Sequence, residues 1–167
     1  MTIEEFSAKL LNRNEPMRVH LIGVAGSGMS GLARLLLEMG HRVSGSDRVT
    51  SGETERLRSS GLEFSTPHSA EAVKDVDAVI YSSAIRPENP ALAAATKAGT
   101  STFRRAECLA AILHTKSGVI VSGTHGKTTT SSMIAHILRK GELAPCHYVG
   151  AEIPVLGSNA EWNEEGE

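Results

Sequence analysis

The chain has 167 residues, 40% hydrophobic, 22% charged and 4% aromatic, with 17 Lys+Arg against 19 Asp+Glu for a formal charge of −2. That length suits one ordinary domain or two small ones, and the near-neutral balance excludes strong attraction to nucleic acid or an anionic membrane. The composition excludes a disordered, collagen-like or disulfide-built chain, and no apolar run approaches the roughly 20 residues of a membrane span. The start, Met1-Thr2-Ile3-Glu4-Glu5, is acidic and lacks the apolar stretch of a signal peptide. Residues 2–13 then read as an amphipathic helix, with Thr2 and Glu5 at capping-box spacing and Ile3, Phe6 and Leu10 on one face. Pro16 ends it. Residues 18–23 read as a buried strand, a glycine-rich turn follows, and a helix runs to Gly40. His41 to Gly45 makes the next strand, closing a βαβ unit whose strands are parallel.

The alternation continues. A short helix is expected from Glu53 to Ser60, a strand at 62–64, a short helix from Ser69 to Lys74 and a buried strand at 76–81. Asn89-Pro90 opens an alanine-rich helix that Gly99 stops, and residues 100–103 form one more strand. These residues make a small doubly wound domain over 1–104. A second block, 105–167, begins with a helix over 106–114 and a strand over 118–123. A second glycine turn leads into a helix over 129–139, and residues 145–150 start another strand. The block is short for an α/β domain, so disorder past about residue 150, or a homodimer covering the exposed face, is expected. Cys108 and Cys146 match no metal-binding spacing and read as reduced thiols of a cytoplasmic protein, packed as small hydrophobes.

Both turns carry chemistry. Gly26-Ser27-Gly28-Met29-Ser30-Gly31 has the G-x-G-x-x-G pattern between a strand and a helix. Glycines there let backbone amides approach a diphosphate at the positive helix start. Asp47 ends the following strand, twenty-one residues beyond Gly26, where a carboxylate can accept from a ribose hydroxyl. The pattern specifies a nucleotide diphosphate without separating a nicotinamide cofactor from a UDP-sugar, and a tight βα turn that binds nothing would look similar. The second turn, Gly123-Thr124-His125-Gly126-Lys127-Thr128-Thr129-Thr130, has the features of a phosphate loop. Amides cradle phosphate oxygens, Lys127 neutralises the β- and γ-phosphates, and the Thr128 hydroxyl can ligate Mg²⁺. It departs from the usual G-x-x-x-x-G-K-[ST] in having Val121 five before Gly126, with Gly123 making a shorter loop.

In order along the chain, these turns, Ser44-Gly45-Ser46-Asp47, Ser82-Ser83-Ala84-Ile85, Asn89-Pro90 and Arg104-Arg105-Ala106-Glu107 together resemble the Mur ligases, from about Met17 to about Gly150. The resemblance implies a Rossmann-like UDP-sugar-binding domain over 1–104. It implies the beginning of a P-loop ATP-binding α/β domain over 105–167, with its phosphate loop at 123–130. It implies a ligase of peptidoglycan synthesis that uses ATP and Mg²⁺. The Gly-Met-Ser-Gly turn and His125 point to UDP-N-acetylmuramate and L-alanine as substrates. The sugar's carboxylate would take the γ-phosphoryl group as an acyl phosphate, and the amine would displace phosphate, so positioning and charge neutralisation carry the chemistry.

Carried over by position, Gly26, Ser27, Gly28 and Met29 face the diphosphate and Asp47 the ribose. His68, Ser82, Ser83 and Asn89 line the same strand ends. Arg105 reaches the substrate from the domain junction. His68 also fits a solvated histidine, and Arg105 a surface charge at a helix start. Gly123, Thr124, His125, Gly126, Lys127, Thr128 and Thr129 hold ATP, with Lys127 and Thr128 in the catalytic roles and Thr128 on the metal. The family's acidic metal ligand, later metal-site residues and C-terminal domain have no counterpart here, and Glu164, Glu165 and Glu167 read as a solvated charge run. This stretch alone is therefore expected to bind substrate without ligating. Two other readings stay open: a non-catalytic UDP-sugar-binding regulatory module, and an NAD-dependent oxidoreductase, which leaves Gly-Lys-Thr-Thr unexplained.

Overall fold

A computed structural model describes residues 1–166. Five parallel strands form one sheet: β1 (Arg18–Ile22), β2 (Arg42–Ser46), β3 (Glu63–Ser65), β4 (Ala78–Tyr81) and β5 (Ser101–Arg104), in the order β3-β2-β1-β4-β5. The central strand β1 is buried in four of its five positions, as a strand covered on both faces must be. It pairs Ile22 with Ser46 on one side and with Tyr81 on the other. The chain leaves β3 at one edge and re-enters beyond β1 at β4, so the order reverses between β1 and β4. Ligands of such sheets bind in the crevice at that reversal.

Helices cover both faces. On one lie α1 (Ile3–Leu10), α2 (Ser27–Glu38), α3 (Gly52–Ser59) and α5 (Arg105–Leu113), sharing one apolar core with Val19, Leu21, Val43 and Ile80. On the other lies α4 (Pro90–Ala98), whose Ala91, Leu92 and Ala95 meet Ile22 and Val79. The expected caps are formed. Thr2 Oγ1 accepts from the Glu5 amide at 3.2 Å while Glu5 Oε2 accepts from the Thr2 amide at 2.8 Å. Asn89 caps α4, and Gly99 ends it in the left-handed conformation. His41 fastens α1 to the sheet: its Nδ1 accepts from Met17 N at 3.3 Å, so Nε2 carries the proton and donates to Leu10 O at 3.1 Å.

Helix α5 opens the second block in sequence but completes the first core. Its Cys108, Ala111 and Ile112 are buried there, and Ser7 Oγ donates to Ala111 O at 3.1 Å. Beyond it, the strand expected over 118–123 is not formed. A parallel strand exists only through its neighbours' hydrogen bonds, and no described strand pairs with this segment. Val119 and Ile120 stand 69% and 75% exposed. Helix α6 (Lys127–Lys140) follows, longer at both ends than the apolar stripe indicates. Residues past 150, where either disorder or a homodimer contact is expected, return as β7 (Ala160–Glu161), which pairs antiparallel with β6 (His147–Tyr148). This ribbon rests on α2, where the Trp162 amide donates to Glu38 Oε2 at 2.6 Å.

Candidate functional site

The glycine turn sits at the crevice. Gly23, with φ +89°, makes the bend that only glycine adopts freely. A Cβ there would also lie 3.3 Å from Ser82 Cβ. Gly26 is the N-cap of α2 and, lacking a side chain, leaves the first helical amides uncapped. Amides at the positive end of a helix are the donors that an anion requires. Asp47 lies beside them. Its Oδ2 accepts from Ala25 N at 2.8 Å and its Oδ1 from Arg48 N at 2.7 Å, tying the turn to the end of β2. A carboxylate has about four lone-pair sites, so two remain for a ligand hydroxyl.

The other expected residues fall along the same strand-end edge. Ser82 and Ser83 follow β4; Ser82 Oγ accepts from Ala84 N at 3.3 Å and Ser83 is exposed. Asn89 uses its Oδ1 on the amides of Ala91 and Leu92, at 3.0 and 3.2 Å, so its carbonyl is a helix cap first. Arg105, at the start of α5, turns back across α2: a Cβ on Gly28 would lie 3.3 Å from Arg105 Cδ. Its Nη1 donates to the Tyr148 hydroxyl at 2.8 Å, and that hydroxyl donates to Gly28 O at 2.6 Å. Burial pushes the Tyr148 phenol above its ordinary pKa, against the pull of Arg105, so it stays the neutral donor this arrangement needs.

Sequence reasoning missed Tyr148 and Asn159. Asn159 Nδ2 donates to Ser27 O at 2.9 Å and lies 3.1 Å from Ser30 Oγ. A Cβ on Gly31 would sit 3.1 Å from Tyr148 Cε2 and 3.2 Å from Asn159 Nδ2. Two glycines of the G-x-G-x-x-G pattern therefore also make room for the second block. The one available signal was an isolated Tyr in an aromatic-poor chain.

His20 was missed as well. It is 1% exposed in β1, with Nδ1 2.8 Å from Ser44 Oγ and Nε2 3.0 Å from Ser46 Oγ. Ser46 Oγ in turn lies 2.9 Å from His68 Nδ1. Burial, helped by His68, lowers the His20 pKa to about 4, so the ring is neutral. His68 is also lowered, first by burial, with Asp47 pulling up and Arg48 down.

The second glycine turn is fully exposed over residues 122–130. Gly123 has φ +150° and Gly126 φ +79°, conformations that need glycine. Gly126 is the N-cap of α6, again without a side-chain cap. Lys127 Nζ curls over the loop and donates to Gly123 O at 2.6 Å and Thr124 O at 3.2 Å. Thr128 is exposed; its carbonyl accepts from Ser132 Oγ at 2.7 Å. The loop thus gathers amides, an ammonium and hydroxyls at a helix start, the set that phosphate oxygens require.

A doubly wound parallel sheet with one uncapped helix start at its switch point, followed by a glycine-lysine-threonine loop on a second, is an α/β architecture of the Rossmann-like type. The sequence model of the Mur ligase family, catalytic domain, matches residues 18–117, and the chain belongs to that family. It is 48% identical over 148 residues to the UDP-N-acetylmuramate–L-alanine ligase of Sorangium cellulosum, covering 89% of this chain and 32% of that protein. The like-named ligase of Synechococcus is 48% identical over 141 residues, covering 84% and 30%. Among solved structures, UDP-N-acetylmuramate-alanine ligase MurC of Thermotoga maritima superposes with a TM-score of 0.84 at 32% identity, over 90% of this chain and 35% of that one. The UDP-N-acetylmuramate:L-alanyl-gamma-D-glutamyl-meso-diaminopimelate ligase of Neisseria meningitides gives 0.82 at 28%, over 87% and 46%. The chain spans about a third of the length of the curated relatives it matches.

Proposed function

We propose that this chain is the UDP-sugar-binding part, with the phosphate loop, of a cytoplasmic ATP-dependent ligase that joins L-alanine to UDP-N-acetylmuramate. The observation that carries the reading is the pair of uncapped helix starts at Gly26 and Gly126, each fed by a glycine turn. In the reading, the amides of Ser27 and Gly28 receive the diphosphate, while those of Gly26 and Met29 already donate to Gly23 O at 3.3 Å and to Gly26 O at 2.9 Å and shape the turn. Asp47 takes the ribose, and His68, Ser82, Ser83 and Asn89 bound the rest of the crevice. Arg105, held beside Gly28 by Tyr148, supplies the cation that a diphosphate lacks among amides alone.

The second loop fits ATP·Mg²⁺. Gly123, Thr124, His125, Gly126 and Thr129 would frame the phosphates, Lys127 would exchange its loop carbonyls for phosphate oxygens, and Thr128 would offer a hydroxyl to the metal. ATP, when bound, supplies the phosphoryl group that activates the sugar's carboxylate. The protein's part is to hold that carboxylate and neutralise charge. Residues 1–167 by themselves are expected to bind the sugar nucleotide without alanine-dependent phosphate release, since the relatives' activity belongs to chains about three times as long.

Calorimetric titration with UDP-N-acetylmuramate, ATP·Mg²⁺ and NADH tests this. Saturable binding of the UDP-sugar is expected, weakened about tenfold in Arg105→Ala. NADH binding without UDP-sugar binding would overturn the assignment in favour of a nicotinamide-dependent oxidoreductase.

A further inference from the structure

One hydroxyl separates two imidazoles beside the sugar-nucleotide crevice. Ser46 is fully buried at the C-terminal end of β2, next to Asp47. Its Oγ lies 3.0 Å from His20 Nε2 on one side and 2.9 Å from His68 Nδ1 on the other. His20 closes the chain through Nδ1 on Ser44 Oγ, 2.8 Å away. The side chains of His20 and Ser44 face each other because the parallel register pairs those two residues on β1 and β2.

A hydroxyl has one proton to give. Ser46 is fully buried and the two imidazole nitrogens are the partners its Oγ has among the described residues, so it donates to one and accepts from the other. Where it donates to His68 Nδ1, His68 carries its proton on Nε2, and His20 must carry its own on Nε2 to donate back to Ser46. Where it donates to His20 Nε2, both rings carry the proton on Nδ1, and His20 gives it to Ser44. Two neutral rings joined in this way share one tautomer. We infer that His20 and Ser46 are positioning residues that set the tautomer of His68, and so decide whether its Nε2 offers the crevice a donor or an acceptor.

The coupling extends to charge. A protonated His68 must donate from Nδ1, which turns the Ser46 proton toward His20 Nε2 and leaves His20 as the Nδ1–H form. From the Nε2–H pair, His20 answers a charge on His68 by moving a proton within its own ring; from the Nδ1–H pair it already holds the required form, and burial keeps the ring neutral in both. The charged groups around the pair are few. Asp47 and Arg48 face His68. The groove on the His20 side is lined by Arg18, Arg42, Glu63, Glu71 and Asp75, of both signs. The functional consequence at His68 Nε2 rests on the UDP-sugar reading; the tautomer lock does not.

Long-range ¹H–¹⁵N spectra of histidine-labelled chain separate the two. At pH 7.5 both rings should show the same tautomer. On acidification the His20 nitrogen signals of a pair that starts as Nε2–H should shift to the Nδ1–H pattern in step with the titration of His68, and those of a pair that starts as Nδ1–H should keep that pattern throughout. In Ser46→Ala that tracking should vanish, while Ser44→Ala retains it. UDP-N-acetylmuramate affinity should fall about tenfold in Ser46→Ala, the size of one lost hydrogen bond to a positioned group, and return in Ser46→Thr, which keeps the hydroxyl. Opposite tautomers in the wild-type pair would overturn the proposal without any variant. So would His20 signals that still follow His68 in Ser46→Ala, or equal sugar affinity in Ser46→Ala and wild type. A wild-type chain that shows the lock but binds no UDP-sugar would instead sink the substrate reading.

Discussion

At the scale of residues, glycines record what lies against the backbone. Gly45 is buried in β2 under Val24; a Cβ there would meet three Val24 side-chain carbons at 2.9 to 3.1 Å. Val24 is β-branched and fully buried, so it has little room to give. Gly45→Ala should cost about 1–3 kcal/mol by overpacking, a drop of roughly 3–10 °C in Tm. Gly52 begins α3 with nothing within 4 Å of its Cβ position, so Gly52→Ala should leave Tm unchanged or raise it. Scanning calorimetry on the two variants checks the contrast, and equal effects would count against this packing. The same residues explain what was legible. The G-x-G-x-x-G pattern announced that space was needed at Gly28 and Gly31, because spacing between a strand and a helix is local information. It could not announce that Tyr148 and Asn159, 120 and 132 residues away from the backbone they bind, would use that space. His20 was hidden for a related reason: inside an apolar strand it reads as one more buried position until β2 places two serines against it.

At the scale of elements, the strands and helices of the sheet were legible where hydrophobic period and caps agreed, as in α1, α4 and β1. The segment 118–123 has the composition of a buried strand, yet a strand is defined by its partners, and Val119 and Ile120 have none among the described residues. The opposite failure is β7, two residues long and mixed in character, which exists only because α2 and β6 receive it. The second glycine turn was legible in its local features, since its glycine conformations and the helix start at Lys127 depend on neighbouring residues, although the strand expected before it is not formed. It yields a separable prediction. Lys127 is exposed, and its ammonium donates to the Gly123 and Thr124 carbonyls of its own loop. Lys127→Ala should therefore move Tm by no more than about 1–2 °C, within the range of surface substitutions. It should abolish measurable ATP·Mg²⁺ binding in the calorimeter, because the β- and γ-phosphates lose their one nearby ammonium. Retained nucleotide affinity in that variant would mean the loop is not the ATP site.

At the scale of the whole molecule, four histidines, His20, His41, His68 and His147, have pKa values lowered chiefly by burial. The unfolded chain binds protons on these rings below about pH 6.5, while the folded chain refuses them until lower pH. Stability is therefore full above that value and falls as pH drops, since the unfolded state binds more protons. For His20 the window runs from about 6.5 down to about 4, where the folded ring also charges. Across that window His20 alone can remove about 3 kcal/mol, at about 1.4 kcal/mol per pKa unit. Glu38 works the other way. Burial raises its pKa, so the folded state takes up a proton sooner than the unfolded one and gains on acidification. One carboxyl does not offset four rings. Urea midpoints should fall measurably between pH 7.5 and 5, with an unchanged slope, and His20→Gln should flatten that fall because an amide fills part of the same polar site without titrating. A midpoint that holds steady or rises on acidification would mean that these rings are not buried as described. The sheet face carrying His20 and Ser44 would then be open to water, and the tautomer lock on His68 would lose the dry surroundings it depends on.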